Sequence, residues 1–217
     1  MTPGTAAGVV LAGGRSRRMG TDKAALPRGR TTLLGHVLAV LAEAVDGPLV
    51  VVGAADADRA LPGDLTDDVR ARCRVVHDPV PDRGPLQGIA TGLSAVADAA
   101  ASAVVVSVDL PHLHPAFVRA VLAHRVPPVE VALPVLDGHR QPLLAAYATA
   151  LGARATALLA AGAQRPGELF AASRVVELDA ATLLADADLA ARDPDLRAAV
   201  GVNTPEEYRA AGGPDLS

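Results

Sequence analysis

The amino-acid sequence predicts a three-layer α/β/α fold with a mostly parallel central sheet and a small antiparallel element in its second half. Short aliphatic runs alternate with helical patterns along the first half of the chain, and strands connected through helices form parallel sheets that are covered on both faces. Half of the 217 residues are apolar but only 2% are aromatic. The core must therefore consist of Val, Leu and Ala, as in helices packed on an aliphatic sheet.

Four aliphatic runs in the first half predict buried strands, and helical patterns separate them. The runs cover residues 8–11, 49–52, 74–77 and 103–108. The predicted helices cover residues 31–45, residues 85–96 and the stretch that opens at Pro115. Threonine is available as N-cap of the first helix, and proline fits the first turn of the other two.

The second half of the chain is less regular. Residues 129–136 and 141–146 predict two strands joined by a turn at Asp137-Gly138. A helix to about residue 161 and a looser segment over residues 164–170 follow. The remaining predictions are a strand over 175–178, a solvated helix pair over 179–199, a capping box at Thr204-Pro205-Glu206-Glu207, and a disordered tail over 212–217. Because no repeat or low-complexity linker divides the sequence, we expect a single domain over residues 1–217.

Composition and charge exclude several classes of protein. The formal net charge is −4, whereas nucleic-acid-binding proteins normally have a basic surplus. No uncharged apolar run approaches the roughly 18 to 20 residues of a membrane span, and the N-terminus lacks the features of a signal peptide. The single cysteine, Cys73, excludes an intrachain disulfide and a zinc ribbon. We therefore expect a cytoplasmic protein that binds neither nucleic acid nor a membrane.

The segment from Leu11 to Lys23 carries the strongest functional signal. It begins where the first predicted strand ends, which is the ligand edge of an open parallel sheet. Gly13 and Gly14 allow backbone amides to approach a phosphate. Four basic residues fall within nine positions: Arg15, Arg17, Arg18 and Lys23. Neither Walker A nor dinucleotide-binding spacing is present. The pattern favours a polyphosphate site over the alternative of a surface turn with solvated arginines.

Two aspartates follow predicted strands at the same edge. Asp109 follows the run at 103–108, and Asp78 follows the run at 74–77. A carboxylate in this position can bind Mg²⁺, which prefers oxygen ligands and shares them with substrate phosphates. The alternative is that each aspartate only begins a turn. We favour the metal role for Asp109 and leave both interpretations open for Asp78.

Other candidate residues lie in loops. Gly84-Pro85-Leu86-Gln87-Gly88 could present amides to a substrate or could cap a helix, and Asn203 could reach the same edge or act as an N-cap. Arg165 is either an anion-binding residue or an exposed loop charge. His112 and His114 could join Asp109 in a transition-metal site, although neighbouring loop histidines are usually only polar.

These motifs resemble those of the molybdenum cofactor guanylyltransferases, which are nucleotidyltransferases of Rossmann-like fold. Residues 11–23 match the family signature Leu-Ala-Gly-Gly-x-Ser-x-Arg-Met-Gly-x-Asp-Lys. Further elements agree in order, so that the resemblance covers nearly the whole chain: Gly84-Pro85-Leu86-Gln87-Gly88-Ile89, Val108-Asp109-Leu110-Pro111, Gln141-Pro142-Leu143 and Val202-Asn203-Thr204-Pro205-Glu206-Glu207.

The resemblance implies transfer of GMP from GTP to molybdopterin, with Mg²⁺ and release of pyrophosphate. It implies that the backbone of Leu11, Ala12 and Gly13 holds the nucleotide, together with Lys23, Asp78 and Asp109, and that Asp109 acts through the metal. It places the remaining family residues toward the pterin: Arg18, Gly84, Gly88, Arg165 and Asn203. Lys23, Asp109 and Arg18 would be the catalytic set. Molybdenum-insertion proteins or apo-molybdoenzymes are the implied partners.

The sequence departs from the family pattern in three places. Gly201 stands where the family often has Asn, Gly53 stands where some members have a nucleotide-contacting Asn, and the segment 179–199 is longer than usual. Alternatives within the same fold are a cytidylyltransferase or a transferase for other phosphate substrates, which the Gly13-Gly14 pair and Asp22 disfavour. A non-catalytic nucleotide-binding adaptor is a further alternative, which the presence of Lys23 and Asp109 disfavours.

Overall fold

A computed structural model of the protein describes residues 5–13, 22–55, 59–81 and 83–215. Within these ranges the strands are β1 (Ala6–Leu11), β2 (Pro27–Arg28), β3 (Thr31–Thr32), β4 (Leu49–Gly53), β5 (Cys73–His77), β6 (Ser102–Ser107), β7 (Val131–Leu136), β8 (His139–Arg140), β9 (Leu144–Ala148) and β10 (Val175–Leu178). The α-helices are α1 (Leu33–Ala44), α2 (Asp67–Arg72), α3 (Pro85–Val96), α4 (Pro115–Ala123), α5 (Leu151–Ala160), α6 (Pro166–Ala171), α7 (Ala180–Leu184), α8 (Ala187–Arg192) and α9 (Pro205–Ala210). Two single 3₁₀ turns cover Lys23–Ala25 and Arg197–Ala199.

The main sheet has the strand order β10-β7-β9-β6-β1-β4-β5, and β8 pairs with β7 outside this path. Strand β9 runs antiparallel to β6 and to β7, whereas the other pairings along the path are parallel. The mostly parallel sheet with a small antiparallel part is therefore confirmed. Because β1, β4, β5, β6, β7 and β10 share one direction, their carboxyl ends lie at one edge, where open α/β sheets bind ligands.

Each face of the sheet supports its own aliphatic core. Alternate residues of β1 point to opposite faces, as the pleat requires: Val10 joins a cluster that includes Leu38 of α1 and Phe117 of α4, and Val9 joins one that includes Ile89 of α3. A methyl group built on Gly92 of α3 would lie 2.3 Å from Val9 Cγ1. Helix α3 therefore packs directly on β1, which fixes the position of its N-terminus at the ligand edge.

The strands and long helices predicted from the first half agree with the structure to within one or two residues. The turn at Asp137-Gly138 is also confirmed, since both residues have positive φ, 49° and 74°. The strand predicted at 141–146 is corrected: it is interrupted, and β9 begins only at Leu144 because the amide of Leu144 donates to the Gln141 carbonyl in a turn. The looser segment at 164–170 contains the short helix α6.

The C-terminal helix packs beside the first residues after Lys23. Leu26 and Leu33 form a small cluster with Val202 and Tyr208, separate from the two large cores. The Tyr208 hydroxyl donates a hydrogen bond to the Pro27 carbonyl. The segment after Lys23 and the C-terminal helix are thus held together at the ligand edge. The assignment of residues 1–217 to one domain stays a prediction.

None of the helices in the described ranges is long and apolar enough to cross a membrane.

Candidate active site

Three residues far apart in sequence meet at the carboxyl edge of the sheet. The Lys23 ammonium donates to Asp109 Oδ2 at 2.8 Å and to Asn203 Oδ1 at 2.9 Å. The side chains of Lys23 and Asp109 are only 13% and 19% exposed. An ammonium has three donors, and within the described ranges two of those of Lys23 hold protein acceptors while the third has none. The structure thus brings Lys23, Asp109 and Asn203 together, and their role in a site stays a prediction.

Local structure fixes each of these three side chains. Lys23 begins a 3₁₀ turn whose N-cap is Asp22, which accepts a hydrogen bond from the Ala24 amide. Asp109 follows β6 by two residues, and its carbonyl accepts from the Val202 amide at 2.9 Å. The Asn203 amide donates at 2.6 Å to the Glu207 carboxylate at the start of α9. The predicted capping residue Thr204 accepts from the Glu207 amide as expected, but the glutamate reaches back to Asn203 instead of to Thr204.

The turn after β1 lies against the end of β4. The Leu11 carbonyl accepts from the Val108 amide, and the Ala12 amide donates to the Val52 carbonyl, so both groups take part in the sheet. A backbone carbonyl has two lone pairs, so the Leu11 carbonyl can still accept from a ligand, as can the Ala12 carbonyl. A methyl group on Gly13 would come within 2.8 Å of the Ala54 amide nitrogen. Gly13 is therefore required by the neighbouring strand end, whatever ligand it also serves.

Asp78 stands immediately after β5 in a half-buried position. Its Oδ1 accepts a hydrogen bond from the Thr91 hydroxyl of α3 at 2.8 Å, and Gln87 contacts the same hydroxyl. Burial raises the pKa of the Asp78 carboxyl, against the opposing effects of the Thr91 hydrogen bond and of His77. A carboxyl kept partly out of water at a ligand edge is a common feature of functional sites, and the predicted nucleotide contact fits this position.

Three of the residues predicted on the pterin side lie around the N-terminus of α3. Gly84 is the N-cap of α3 with φ of 73°, and a methyl group there would lie 3.3 Å from the Gln164 carbonyl. The loop bearing Gly84 therefore touches the loop bearing Arg165, which is exposed. Gly88 is buried, and a methyl group there would lie 3.0 Å from Leu11 Cδ1. Packing alone requires its small size, and its substrate role stays a prediction.

Other sequence candidates have structural roles or lie outside the described residues. Arg18 falls in the range that the structure does not describe. His114 caps α4 by accepting from the Phe117 amide through Nδ1, and its Nε2 lies 3.3 Å from Asp193 Oδ2. Within the described ranges no three His, Cys, Asp or Glu residues are placed to hold a metal ion. The transition-metal site considered for His112 and His114 therefore has no support in these ranges.

The oxygen atoms available at this edge fit a Mg²⁺ ion that is held mainly by substrate phosphates. Mg²⁺ is commonly held by one or two carboxylates together with substrate phosphates and water. Lys23 occupies Asp109 Oδ2, and Oδ1 lies beside Gly201, where a methyl group would be 3.5 Å away. Asn203 adds a second oxygen close to the same ammonium. One carboxylate with an adjacent amide oxygen suits a metal that phosphate oxygens also hold, and not an all-protein metal cage.

Sequence reasoning missed Arg59. Its guanidinium binds both carboxylate oxygens of Asp22, with Nη1 to Oδ2 at 3.0 Å and Nη2 to Oδ1 at 3.2 Å. Arg59 follows β4 in an irregular loop, so that no periodicity or motif marks it. The signal that could have found it is Asp22 itself, an acidic residue among four basic ones, because a carboxylate can form a strong two-point pair with an arginine.

The fold and the site together define a nucleotidyltransferase: an open α/β sheet whose carboxyl edge brings together a glycine turn, a lysine and an aspartate. The chain belongs to the family described as "MobA-like NTP transferase domain", whose model matches residues 8–178.

A known relative agrees with this assignment, and solved structures share the fold. A protein of Mycobacterium avium strain 104, named "Probable molybdenum cofactor guanylyltransferase", is 38% identical over 209 residues, which cover 94% of this chain and 93% of the relative. The crystal structure of molybdopterin-guanine dinucleotide biosynthesis protein A from Archaeoglobus fulgidus has a TM-score of 0.66 at 20% identity and covers 94% of this chain and 96% of its own. A 2-C-methyl-D-erythritol 4-phosphate cytidylyltransferase from Thermus thermophilus shares the fold, with a TM-score of 0.60 at 16% identity, covering 94% and 95%.

Proposed function

We propose that the protein transfers GMP from GTP to molybdopterin and releases pyrophosphate. The observation that carries the proposal is the contact of the Lys23 ammonium with both Asp109 and Asn203 at the carboxyl edge of the sheet. The choice of guanine and of the pterin acceptor is supported by the curated relatives, such as the Mycobacterium avium protein at 38% identity. Molybdenum-insertion proteins or apo-molybdoenzymes would then receive the product.

The reaction requires the protein to position two anions, the pterin phosphate and GTP, and to stabilise the negative charge of the transition state. An oxygen of the pterin phosphate attacks the α-phosphorus of GTP in line, the new P–O bond forms, and the bond to the pyrophosphate oxygen breaks. Such a transfer needs no covalent intermediate with the protein, and most of the catalysis comes from orientation and electrostatic stabilisation. Within this scheme the turn at residues 11–13 holds the nucleotide, Lys23 neutralises phosphate charge, and Asn203 lies on the acceptor side.

Mg²⁺ bound at Asp109 would supply Lewis-acid stabilisation of the developing phosphate charge. Asp109 Oδ2 is held by Lys23, so that binding of a metal and a polyphosphate redistributes the contacts of two groups already in place. The Lys23 side chain has a long flexible stem and acts as a point charge. It can turn its ammonium from the carboxylate toward a phosphate while Asn203 stays within reach.

The first test compares nucleotides and removes the charge of Asp109. Purified protein is incubated with molybdopterin, Mg²⁺ and either GTP or CTP, and pyrophosphate release and nucleotide incorporation are measured. We expect transfer with GTP and little with CTP. Asp109→Asn should lower turnover about a hundredfold or more, as loss of one electrostatic stabiliser typically does, while the protein stays folded because asparagine keeps a side-chain oxygen that can accept from Lys23.

A matched control and two decisive outcomes complete this test. Asp188→Asn removes an exposed carboxylate on α8 that pairs with Arg192 at 3.1 Å and with Arg119 at 3.6 Å, and it should leave turnover unchanged. Faster transfer from CTP would replace the guanine assignment by the cytidylyltransferase alternative. Full activity of Asp109→Asn would remove Asp109 from the mechanism, and absence of pyrophosphate release with every nucleotide and pterin would favour the adaptor alternative.

A further inference from the structure

The ion pair between Arg59 and Asp22 links the end of β4 to the turn that carries Lys23. Both guanidinium Nη atoms contact the carboxylate, at 3.0 and 3.2 Å. Such two-point pairs fix the relative orientation of the two groups as well as their distance. Asp22 is also the N-cap of the turn at Lys23–Ala25 through its contact with the Ala24 amide. One carboxylate therefore organises the turn and binds it to Arg59.

Arg59 is more buried than most surface arginines. Its side chain is 12% exposed, whereas the Asp22 side chain is 48% exposed. The Arg59 Nε atom is buried, and it has no hydrogen-bond partner among the residues that the structure describes. Burying a charged group with an unsatisfied donor costs free energy. A pair that served only surface stability would contribute about 1 kcal/mol or less, so stability alone gives a weak reason for this arrangement.

Arg59 packs beside Gly53 at the end of β4. A methyl group built on Gly53 would lie 3.6 Å from Arg59 Cβ, an ordinary van der Waals distance, and 3.1 Å from His77 Cδ2. The base of the Arg59 side chain thus packs beside the last residue of β4, where the Gly53 carbonyl also accepts the Asp78 amide. The same strand end lies against Gly13. Arg59 is therefore anchored on the part of the sheet that forms the candidate nucleotide side.

We propose that Arg59 is a positioning residue of the transfer reaction. Through its ion pair with Asp22, it fixes the position of the Lys23 ammonium relative to the part of the site that binds the nucleotide. The inference rests on the proposed function, since the step it serves is nucleotidyl transfer at this edge. Each Nη atom of Arg59 donates a hydrogen bond to the Asp22 carboxylate, so Arg59 acts on the site through Asp22. Loss of the pair leaves Lys23 attached to Asp109 and Asn203 but frees the start of its turn from Arg59.

A double-mutant cycle separates this role from a structural one. Asp22→Asn keeps an N-cap residue, because asparagine caps turns and helices as well as aspartate, but it loses the charge pair. Arg59→Gln removes the same pair from the other side. Each single variant should raise the KM and the dissociation constant for GTP about tenfold, a typical loss from slight misplacement of a binding group. The double variant should show the same tenfold loss and not a hundredfold loss, because both changes remove one interaction.

The readouts are chosen so that only a positioning role satisfies all of them. The KM for the pterin acceptor should stay unchanged in each of these variants. Arg192→Gln, which breaks the exposed pair with Asp188 on α8, serves as the control and should change neither constant. If Arg59→Gln does not fold, Asp22→Asn still breaks the pair with Arg59 in place.

Several outcomes would overturn the inference. Additive losses in the double variant, or a loss with Arg59→Gln but none with Asp22→Asn, would mean that Arg59 meets the nucleotide directly. Unchanged GTP affinity in both single variants would leave the pair with a stability role only. Because GTP binding is measured without an acceptor, failure of transfer in the unmodified protein would count against the proposed function while the cycle still decides the role of Arg59.

Discussion

At the scale of single residues, Asp78 shows a conflict between function and stability. Burial raises the pKa of its carboxyl, which means that the charged form costs the folded state free energy. Folded proteins keep such groups mostly where a ligand needs them. The Thr91 hydroxyl donates to Oδ1 at 2.8 Å and offsets part of that cost. We therefore expect Asp78 to reduce stability in exchange for a contact with the nucleotide.

Asp78→Asn should stabilise the protein near neutral pH and weaken GTP binding. Asparagine keeps an oxygen that accepts from Thr91 but carries no charge to bury. A raised folded-state pKa contributes stability below the unfolded pKa and loses it as pH rises through the folded value. The advantage of the variant should therefore be small near pH 4 and larger at pH 7. Denaturant unfolding of both proteins at the two pH values, with GTP titrations at pH 7, measures the effect.

Asp179 serves as a control, because its pKa is shifted in the opposite direction to that of Asp78. This exposed residue caps α7, and hydrogen bonds from Thr182 lower the pKa of its carboxyl. Its contribution is present above the unfolded pKa and is lost as pH falls through the folded value. Asp179→Asn should therefore lose stability at pH 7 and approach the parent protein at low pH. Equal pH profiles for the two variants would show that burial does not govern Asp78.

The residues of the site differed in how far sequence could identify them. Lys23, Asp109 and Asn203 each lie in a recognisable motif. Because parallel strands share one carboxyl edge, the sequence predicted that Lys23 and Asp109 would lie close together. Arg59 was missed because it lies outside the regular elements and the motifs, and only its contact with Asp22 in the folded chain marks it. For Gly13 and Gly88 the structure adds a packing reason, since methyl groups there would contact Ala54 and Leu11.

At the scale of elements, the start of helix α9 fixes the position of Asn203, which lies just before the helix. Thr204 caps the helix by accepting from the Glu207 amide at 3.2 Å, while the Glu207 carboxylate accepts from the Asn203 amide at 2.6 Å. Glutamate in a first helical turn is also favoured by the helix dipole. One residue therefore stabilises the helix start and fixes the backbone of a residue that touches Lys23.

Glu207→Ala and Thr204→Ala should separate these two effects. Loss of the Glu207 carboxylate frees the Asn203 backbone, and we expect turnover to fall about tenfold through misplacement of the side chain, with an unfolding free energy lower by about 1 kcal/mol or less. Loss of the Thr204 cap should lower the unfolding free energy by about 1 kcal/mol with a smaller effect on turnover. Steady-state kinetics and denaturant unfolding measure both quantities, and proportional losses in the two variants would refute the separation.

The elements that sequence predicted well are the long ones with a clear period. Helices α1 and α3 and the strands of the first half have enough turns or buried residues for a pattern to emerge. Helices α2 and α6 have only six residues each, so that caps and tertiary contacts define them more than periodicity does. Strand β9 starts late for a similar reason, because a local turn at Gln141 replaces the first predicted strand residues.

At the scale of the whole molecule, the active-site edge is closed by a core of its own. Leu26, Leu33, Val202 and Tyr208 form a cluster apart from the two that cover the sheet. Tyr208 is 1% exposed, and its hydroxyl donates to the Pro27 carbonyl. The cluster joins the segment after Lys23 to the segment bearing Asn203, and so it holds together two segments that supply residues of the site. Small cores of this kind often open without global unfolding.

Tyr208→Ala should therefore open the site edge while the sheet stays folded. Removing a buried aromatic ring typically costs about 3 to 5 kcal/mol, which is more than a small separate cluster can lose without opening. Hydrogen exchange should accelerate in residues 22–35 and 201–213, and the GTP dissociation constant should rise, whereas β1, β4 and β6 keep their protection. Phe117→Ala, in one of the two large cores, should instead accelerate exchange throughout the sheet. Uniform loss of protection in Tyr208→Ala would mean that this cluster and the sheet unfold as one cooperative unit.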